Sequence, residues 1–581
     1  MDSQGEDSET TPLLPSAQST PKEVRKGKNR TIVLPLSLLS FVALSCVIVL
    51  VVLGRKEEVG EEKGWTICSS AGKRQIYTVD YADDGKPQGD MWQECVEVNG
   101  GRFGKFVARD TNLSPTYTLP EGSILTPGFS DSHVHMIQYG WSRSLDLANL
   151  PDLPAVIAKI RRYIEEEWDG TGWVEGQGWY EQSWEGWTGG FPNKTHLDAD
   201  PVLRRVPIIL SRKDLHAFWV NSKVIELTGK LPDKVEGGEV LRDSNGVPTG
   251  IFLDQASTLL PKPEWSESTK RAFFLRAAEE ALKVGVTKCH DAMTSEEEIG
   301  YYKKWAEEGI LPMRMYLMAN RVSGTGYWGK IPKLHNYGKD GRLNLRAIKL
   351  VGDGSLGSCS AVMYEPFQDV NTTGFFRVPL EEMQEFVPRF FEDGWQVNIH
   401  AIGDRANSEV LSIFEKELQG KGRDPKKFRP RIEHVQIMRE QDFPRLGKSG
   451  VIASIQPTHA TSDMAYAEKR LGFERAKGTY AFRKMINAGA PITLGSDFPV
   501  ESNNPLVTFY AAITRLTAEG TSPHGPGGWF PDQRLTREET IKGLTLDPAY
   551  ASFSEDELGS IKEGKKADFV IWSRDLMTVP R

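Results

Sequence analysis

Apolar and polar positions follow distinct rhythms along this chain. Residues 1–30 are polar, rich in Ser, Thr, Pro and Lys, and too poor in apolar groups to offset the entropy of ordering, which predicts a disordered tail. Thr31 to Leu53 then runs for 23 residues without a charge, long enough to cross a bilayer as a helix. Residues 54–64 read as a charged linker. From Trp65 to about Pro120, segments of period two such as Gln75-Ile-Tyr-Thr-Val79 and Glu94-Cys-Val-Glu-Val98 are broken by Asp-Asp-Gly and Asn-Gly-Gly turns, the pattern of strands and hairpins. Beyond Gly128 the texture changes to apolar runs of strand length separated by amphipathic stretches, for example Glu267 to Val284 followed by Gly285-Val-Thr. Strand, helix, strand in repetition predicts a parallel sheet. Gly559 to Trp572 reads again as a hairpin and strand, placed to pair with the N-terminal β-segments.

These rhythms divide the chain into a tail (1–30), a transmembrane signal anchor (31–53), a linker (54–64), the first part of a β-sandwich (65–127), a barrel (128–555) with an insertion around 180–265, and the second part of the sandwich (556–581). The expected fold class is α/β: a (β/α)8 barrel of the TIM type, a small β-sandwich built from both chain ends, and one N-terminal transmembrane helix. Lys22, Arg25, Lys26, Lys28 and Arg30 precede the apolar run, while acidic residues are mixed in after it. By the positive-inside rule this gives a single-pass type II membrane protein whose catalytic domain is lumenal or extracellular. Leu13-Leu14, in an acidic dileucine setting, would direct it to a vacuolar or other endomembrane compartment, and sequons at Asn112, Asn193 and Asn371 agree with a lumenal face.

With 581 residues, 39% hydrophobic and 26% charged, the chain is long enough for one large catalytic domain with accessories. Its net charge of -8 and the lack of a basic cluster in the body argue against nucleic acid as a partner. The five cysteines form no Cys-x-x-Cys pair, which excludes a zinc knuckle or redox motif; Cys68 and Cys95 can form one disulfide if their compartment oxidises.

Candidate chemistry begins at Pro127-Gly-Phe-Ser-Asp-Ser-His-Val-His135, where a new strand ends on two histidines. Residues i and i+2 of a strand project from one face, so His133 and His135 point together, as two ligands of one divalent ion must. Four further apolar segments end on a metal-competent or ionisable residue: Arg346-Ala-Ile-Lys349, Gln396-Val-Asn-Ile-His400, Arg431-Ile-Glu-His434 and Pro491 to Asp497. They lie one to two units of about thirty residues apart, so in a barrel all converge on the C-terminal mouth, where such enzymes place their chemistry.

At these residues the chain resembles the amidohydrolase superfamily, in its family 3 branch of YtcJ-like and N-substituted formamide deformylase-like proteins. The likeness runs from about Tyr77 to Val570 and includes the His-x-His stretch, Gly176-Gln-Gly-Trp179, His216-Ala-Phe-Trp-Val-Asn-Ser222, Lys349 to Ser358, His400-Ala-Ile-Gly-Asp-Arg-Ala406, Glu433-His434 and Gly495 to Pro499. The resemblance implies two divalent ions, zinc in the first instance, with His133 and His135 on one and His400 and His434 on the other. Lys349 would bridge them as a carbamate, and Asp497 would be both ligand and catalytic proton acceptor. His216, Asp353, Asp404, Arg405 and His459 would contact substrate or orient ligands. The implied reaction is hydrolysis of a C–N amide bond in a small N-acyl or N-formyl amine. Deamination, isomerisation or hydration by a related metal enzyme, and a catalytically silent binding barrel, stand as alternatives. Self-association as a homodimer stays open.

Overall fold

The computed structural model describes residues 64–580, apart from 83–84, 111–115, 182–183, 213–216, 236–237, 262–263 and 322–325. Its centre is a nine-stranded sheet in which Leu334–Tyr337 adds antiparallel to one strand and the other eight follow chain order: β1 (Phe129–Val134), β2 (Val286–Thr294), β3 (Arg314–Ala319), β4 (Leu343–Val351), β5 (Gln396–Ala401), β6 (Arg431–His434), β7 (Ile452–Ile455) and β8 (Ile492–Leu494). Each of β1 to β7 pairs in parallel with the next. The sheet curls until its two edges meet in a nearly closed barrel. Asp497 N–H donates to His133 O at 2.8 Å, and His135 N–H donates to Phe498 O at 2.9 Å. Gly495 makes this seam possible, since a Cβ there would lie 2.7 Å from the His133 nitrogen.

Outward side chains of the strands, such as Phe129, Ile348, Leu350, Val397 and Ile399, pack under the surrounding helices in one large apolar core. Inside the barrel the texture is different. Ala292, Tyr316, Met318 and Ala347 form a small apolar patch. Around it lie the fully buried polar groups His290, Gln396, Asn398, Arg431, Glu433, Ser454 and Thr493. Strict alternation along β4 would put Leu345, Ala347 and Lys349 on one face. A register shift against β3 leaves Arg346 as an extra residue, so Leu345 joins the outer core while Ala347 turns inward.

Between β1 and β2 an insertion folds into its own five-stranded sheet, from Val174–Trp179 to Pro248–Asp254. Trp179, Trp184 and Trp219 fill its core with Leu197 and Leu210, so the tryptophans of this region pack the insertion rather than the barrel mouth. A pair of four-stranded sheets forms the β-sandwich, in which Phe569–Trp572 pairs antiparallel with Ile124–Pro127. Ile67, Val96, Phe103, Leu125 and Ile561 form its core. Cys68 and Cys95 stand directly opposite each other on antiparallel strands and are joined by a disulfide, with Cα atoms 4.1 Å apart.

One expectation requires correction. No helix among the described residues is long and apolar enough to cross a membrane. The longest described helix, Glu267–Lys283, has 17 residues and carries charge along its length, whereas a span needs about 20 mostly apolar ones. Residues 31–53, the expected anchor, lie outside the described residues, as does Leu13-Leu14. The transmembrane helix and the type II localisation are therefore not supported, and with them falls the lumenal setting for Asn112, Asn193 and Asn371.

Candidate metal centre

The mouth of the barrel gathers side chains from five strand ends. His133 leaves the end of β1 almost fully buried, and its Nδ1 lies 2.7 Å from Glu433 Oε2 on β6. Its other nitrogen, Nε2, faces Lys349 Nζ at 3.3 Å and Asp497 Oδ1 at 3.6 Å. His135 Nε2 approaches the same Asp497 oxygen at 3.1 Å. From β6, His434 turns its ring into the mouth, 4.4 Å from the His400 ring and 4.8 Å from the His133 ring, centroid to centroid. Gln456 Oε1 accepts from its Nδ1 at 2.9 Å. His459, in the first turn of the helix Pro457–Asp463, lies face to face with His434, and its Nε2 is 3.7 Å from Asp497 Oδ2.

Backbone conformation supports this convergence. His434 (φ 77°), Val435 (φ 46°) and Asp497 (φ 62°) all sit in the left-handed region, which side chains of L-residues enter rarely and a β-branched valine almost never. Such residues persist where surrounding structure over-determines them, and they cluster at functional sites. Asp131 pins the seam that carries Asp497, accepting from Ser496 Oγ at 2.5 Å and from the His133 N–H at 3.1 Å.

The donor set fits a divalent cation. His133, His135 and Asp497 bring ligand atoms within 4.8 Å of one another, and so do His434, His459 and Asp497. His459 Nε2 and Asp497 Oδ1 are buried and make no hydrogen bond, which is costly for polar atoms unless a cation or substrate meets them. Burial drives the imidazoles toward their neutral, ligating form. His133 is pushed down to about 4 by burial, with Lys349 adding to the effect; His400 goes to about 3 for the same reasons, and His434 falls well below the ordinary histidine value. At Asp497 burial works upward, but His133, His135 and His434 outweigh it and hold the carboxyl well below the usual range. Burial lowers the Lys349 amine to about 8, close enough to neutrality for the amine to be an accessible form.

The other sequence-predicted residues divide. Asp353 is fully buried and accepts from the Val362, Ile402 and Gly403 N–H groups at 2.9, 3.0 and 2.8 Å, tying the loop after β4 to the loop after β5. His400 Nε2 lies 3.5 Å from it and 3.3 Å from Gly354 O. Asp404 and Arg405 stand apart from the cluster: Asp404 accepts from the Tyr364 N–H, and Arg405 lies over the Phe376 ring. His216 lies outside the described residues. Four groups that sequence reading did not place in the site are Asp131, Arg431, Glu433 and Gln456. For Arg431 and Glu433 the local signal was their alternation in Arg431-Ile-Glu-His434, because two charges on one face of a buried strand require a partner.

Comparison with known proteins settles the ancestry. The model of the amidohydrolase family matches residues 121–581. The chain belongs to the amidohydrolase family. It is accordingly a metal-dependent hydrolase acting on carbon–nitrogen bonds. Among its relatives, the protein LONG AFTER FAR-RED 3 of Arabidopsis thaliana is 31% identical, the match covering 78% of each chain. YtcJ of Bacillus subtilis is 30% identical over 83% of this chain and 91% of that protein. The N-substituted formamide deformylase of Arthrobacter pascens is 26% identical over 83% and 90%. In fold, the amidohydrolase chain is similar to an uncharacterized metal-dependent hydrolase from Pyrococcus furiosus, with a TM-score of 0.69, 23% identity, and coverage of 89% of this chain and all of that one.

Proposed function

We propose that this amidohydrolase cleaves the C–N amide bond of a small N-acyl or N-formyl amine, with Asp497 as the catalytic proton carrier. The observation that carries this reading is the placement of Asp497, whose two carboxylate oxygens adjoin both donor groups, Oδ1 beside His133 and His135 and Oδ2 beside His459. His133, His135, His400, His434 and Asp497 would hold two divalent ions, zinc in the first instance, with Lys349 between them as a carbamate. Bound there, such ions supply a Lewis acid for the substrate carbonyl and lower the pKa of water. Asp497 takes a proton from the attacking water and returns it to the departing nitrogen. His459 Nε2, unpaired and beside Asp497 Oδ2, is placed to donate to a substrate oxygen. Carboxylation of Lys349 needs a neutral amine, and a buried amine lowered to about 8 provides one. The substrate class is supported by the likeness to an enzyme named for N-substituted formamides.

The test is a panel of N-formyl, N-acetyl and cyclic amides offered to the zinc-loaded protein, with amine and carboxylate products quantified and bound metal measured. Release of an amine together with its acid, from protein holding about two ions per chain, is the expected result. Turnover that leaves every C–N bond intact would overturn the reading.

A further inference from the structure

We propose that Glu433 is a positioning residue that makes the His133–His135 position the tighter of the two metal positions. This rests on the metal-dependent reading above but goes beyond it, because it ranks the two positions. Glu433 is fully buried, and its Oε2 lies 2.7 Å from His133 Nδ1. A carboxylate can only accept, so Nδ1 carries the proton and the lone pair is on Nε2, the nitrogen that faces Asp497 and Lys349. An anionic acceptor on the far nitrogen of a ligating imidazole fixes its tautomer and ring orientation and raises its basicity.

The carboxylate is itself held from below. Arg431, two residues earlier on β6 and equally buried, meets Glu433 Oε1 through Nε at 2.9 Å and Oε2 through Nη2 at 3.1 Å. Nη2 also donates to Ser132 O on β1 and Ser454 Oγ on β7, at 2.7 and 2.9 Å, and Nη1 lies 3.2 Å from His290 Nδ1 on β2. Four strands therefore clamp one guanidinium, which in turn clamps one carboxylate.

His434 and His400, the histidines of the second position, are held differently. Among the described residues, His434 Nδ1 is met by the neutral amide oxygen of Gln456, and His400 Nε2 by the carbonyl of Gly354. Asp353 Oδ1 stands 3.5 Å from His400 Nε2 and accepts from the Ile402 N–H, so among these three described histidines His133 is the one whose outer nitrogen is held by a carboxylate at hydrogen-bond distance, and that difference in charge ranks the positions.

Metal affinity is the measurement, made on the full chain by chelator competition with zinc and by the d–d spectrum of the cobalt-substituted protein. The wild type is expected to bind its two ions with distinct affinities. Glu433→Gln keeps an acceptor for Nδ1 but removes the charge, and should weaken the tighter ion by about 10- to 100-fold while leaving the weaker one unchanged. Gln456→Leu should do the reverse. Because Glu433→Gln strands a buried Arg431 charge, the double variant Arg431→Gln/Glu433→Gln removes both charges together and should show the same selective loss if the single variant fails to fold. A native-like melting transition of the metal-free variants separates this from general damage. Equal affinities in the wild type, or equal weakening of both ions in either variant, overturns the ranking. A wild type that binds no metal would instead refute the metal-dependent reading itself.

Discussion

Replacing Asp497 by Asn tests the proton carrier with little structural side effect. Asp497 adopts φ 62°, and Asn is among the few residues that tolerate the left-handed region as Asp does. The seam bond from Asp497 N–H to His133 O and the turn bond from Val500 N–H to Asp497 O are made by the backbone and survive the change. The amide keeps one oxygen for His135 and His133 but cannot accept the proton. Positioned acid–base catalysis contributes about 100- to 10,000-fold, so kcat should fall by that factor, or about 2.7–5.5 kcal/mol in activation free energy. Steady-state kinetics on the best amide of the panel, with metal content and melting temperature measured on the same preparation, reads all three quantities. Asp497→Ala provides the contrast: it loses the oxygen as well and places a Cβ residue without a compensating side chain in the left-handed region, at about 1–2 kcal/mol. It should therefore melt lower than Asp497→Asn as well as lose metal. An Asp497→Asn enzyme that retains its metal and more than about a tenth of wild-type kcat would refute the assignment.

Lys349→Ala should lose activity and at least one metal ion together, and short carboxylic acids added to it should restore part of the turnover by filling the vacated space; full activity and full metal in this variant would exclude the carbamate. Lys349→Arg should also fail, since a guanidinium stays protonated and cannot be carboxylated. Lys288, buried on β2 with Ser552 and Ser554 as hydrogen-bond partners, is pushed down to about 7 mainly by burial. Between that value and the ordinary lysine value of about 10.4 the unfolded chain binds a proton that the folded chain does not, so this group makes stability rise with pH through that window, by up to about 1.4 kcal/mol per pH unit, and contributes a constant penalty below it. Urea unfolding at about pH 7.5 and about pH 9 should show that slope in the wild type and lose it in Lys288→Met; identical pH dependence in both would remove Lys288 as its source.

What could be read in the sequence was local. Period-two alternation, turn residues and amphipathic helices are properties of neighbouring positions, so the succession of strands and helices after Gly128 was legible, and so was the shared face of His133 and His135. The strand-end residues Lys349, His400, His434 and Asp497 were legible for a related reason: in a parallel barrel every strand points the same way, so a residue's place in its own strand sets its height in the barrel. The apolar run at 31–53 has the composition of a span but lies outside the described residues, among which no helix has the length and apolarity of one. Tertiary structure alone decided the rest. Arg346 shifts the register of β4 because of its pairing with β3, which its own strand does not encode. Glu433 meets His133 across 300 residues of chain, a contact created by the curling of the sheet and not by any local pattern. Likewise, whether an imidazole ligates through Nδ1 or Nε2 depends on which acceptor holds its other nitrogen. For His133 and His434 those acceptors, Glu433 and Gln456, sit on or at the end of other strands, so the choice exists only once the barrel has formed.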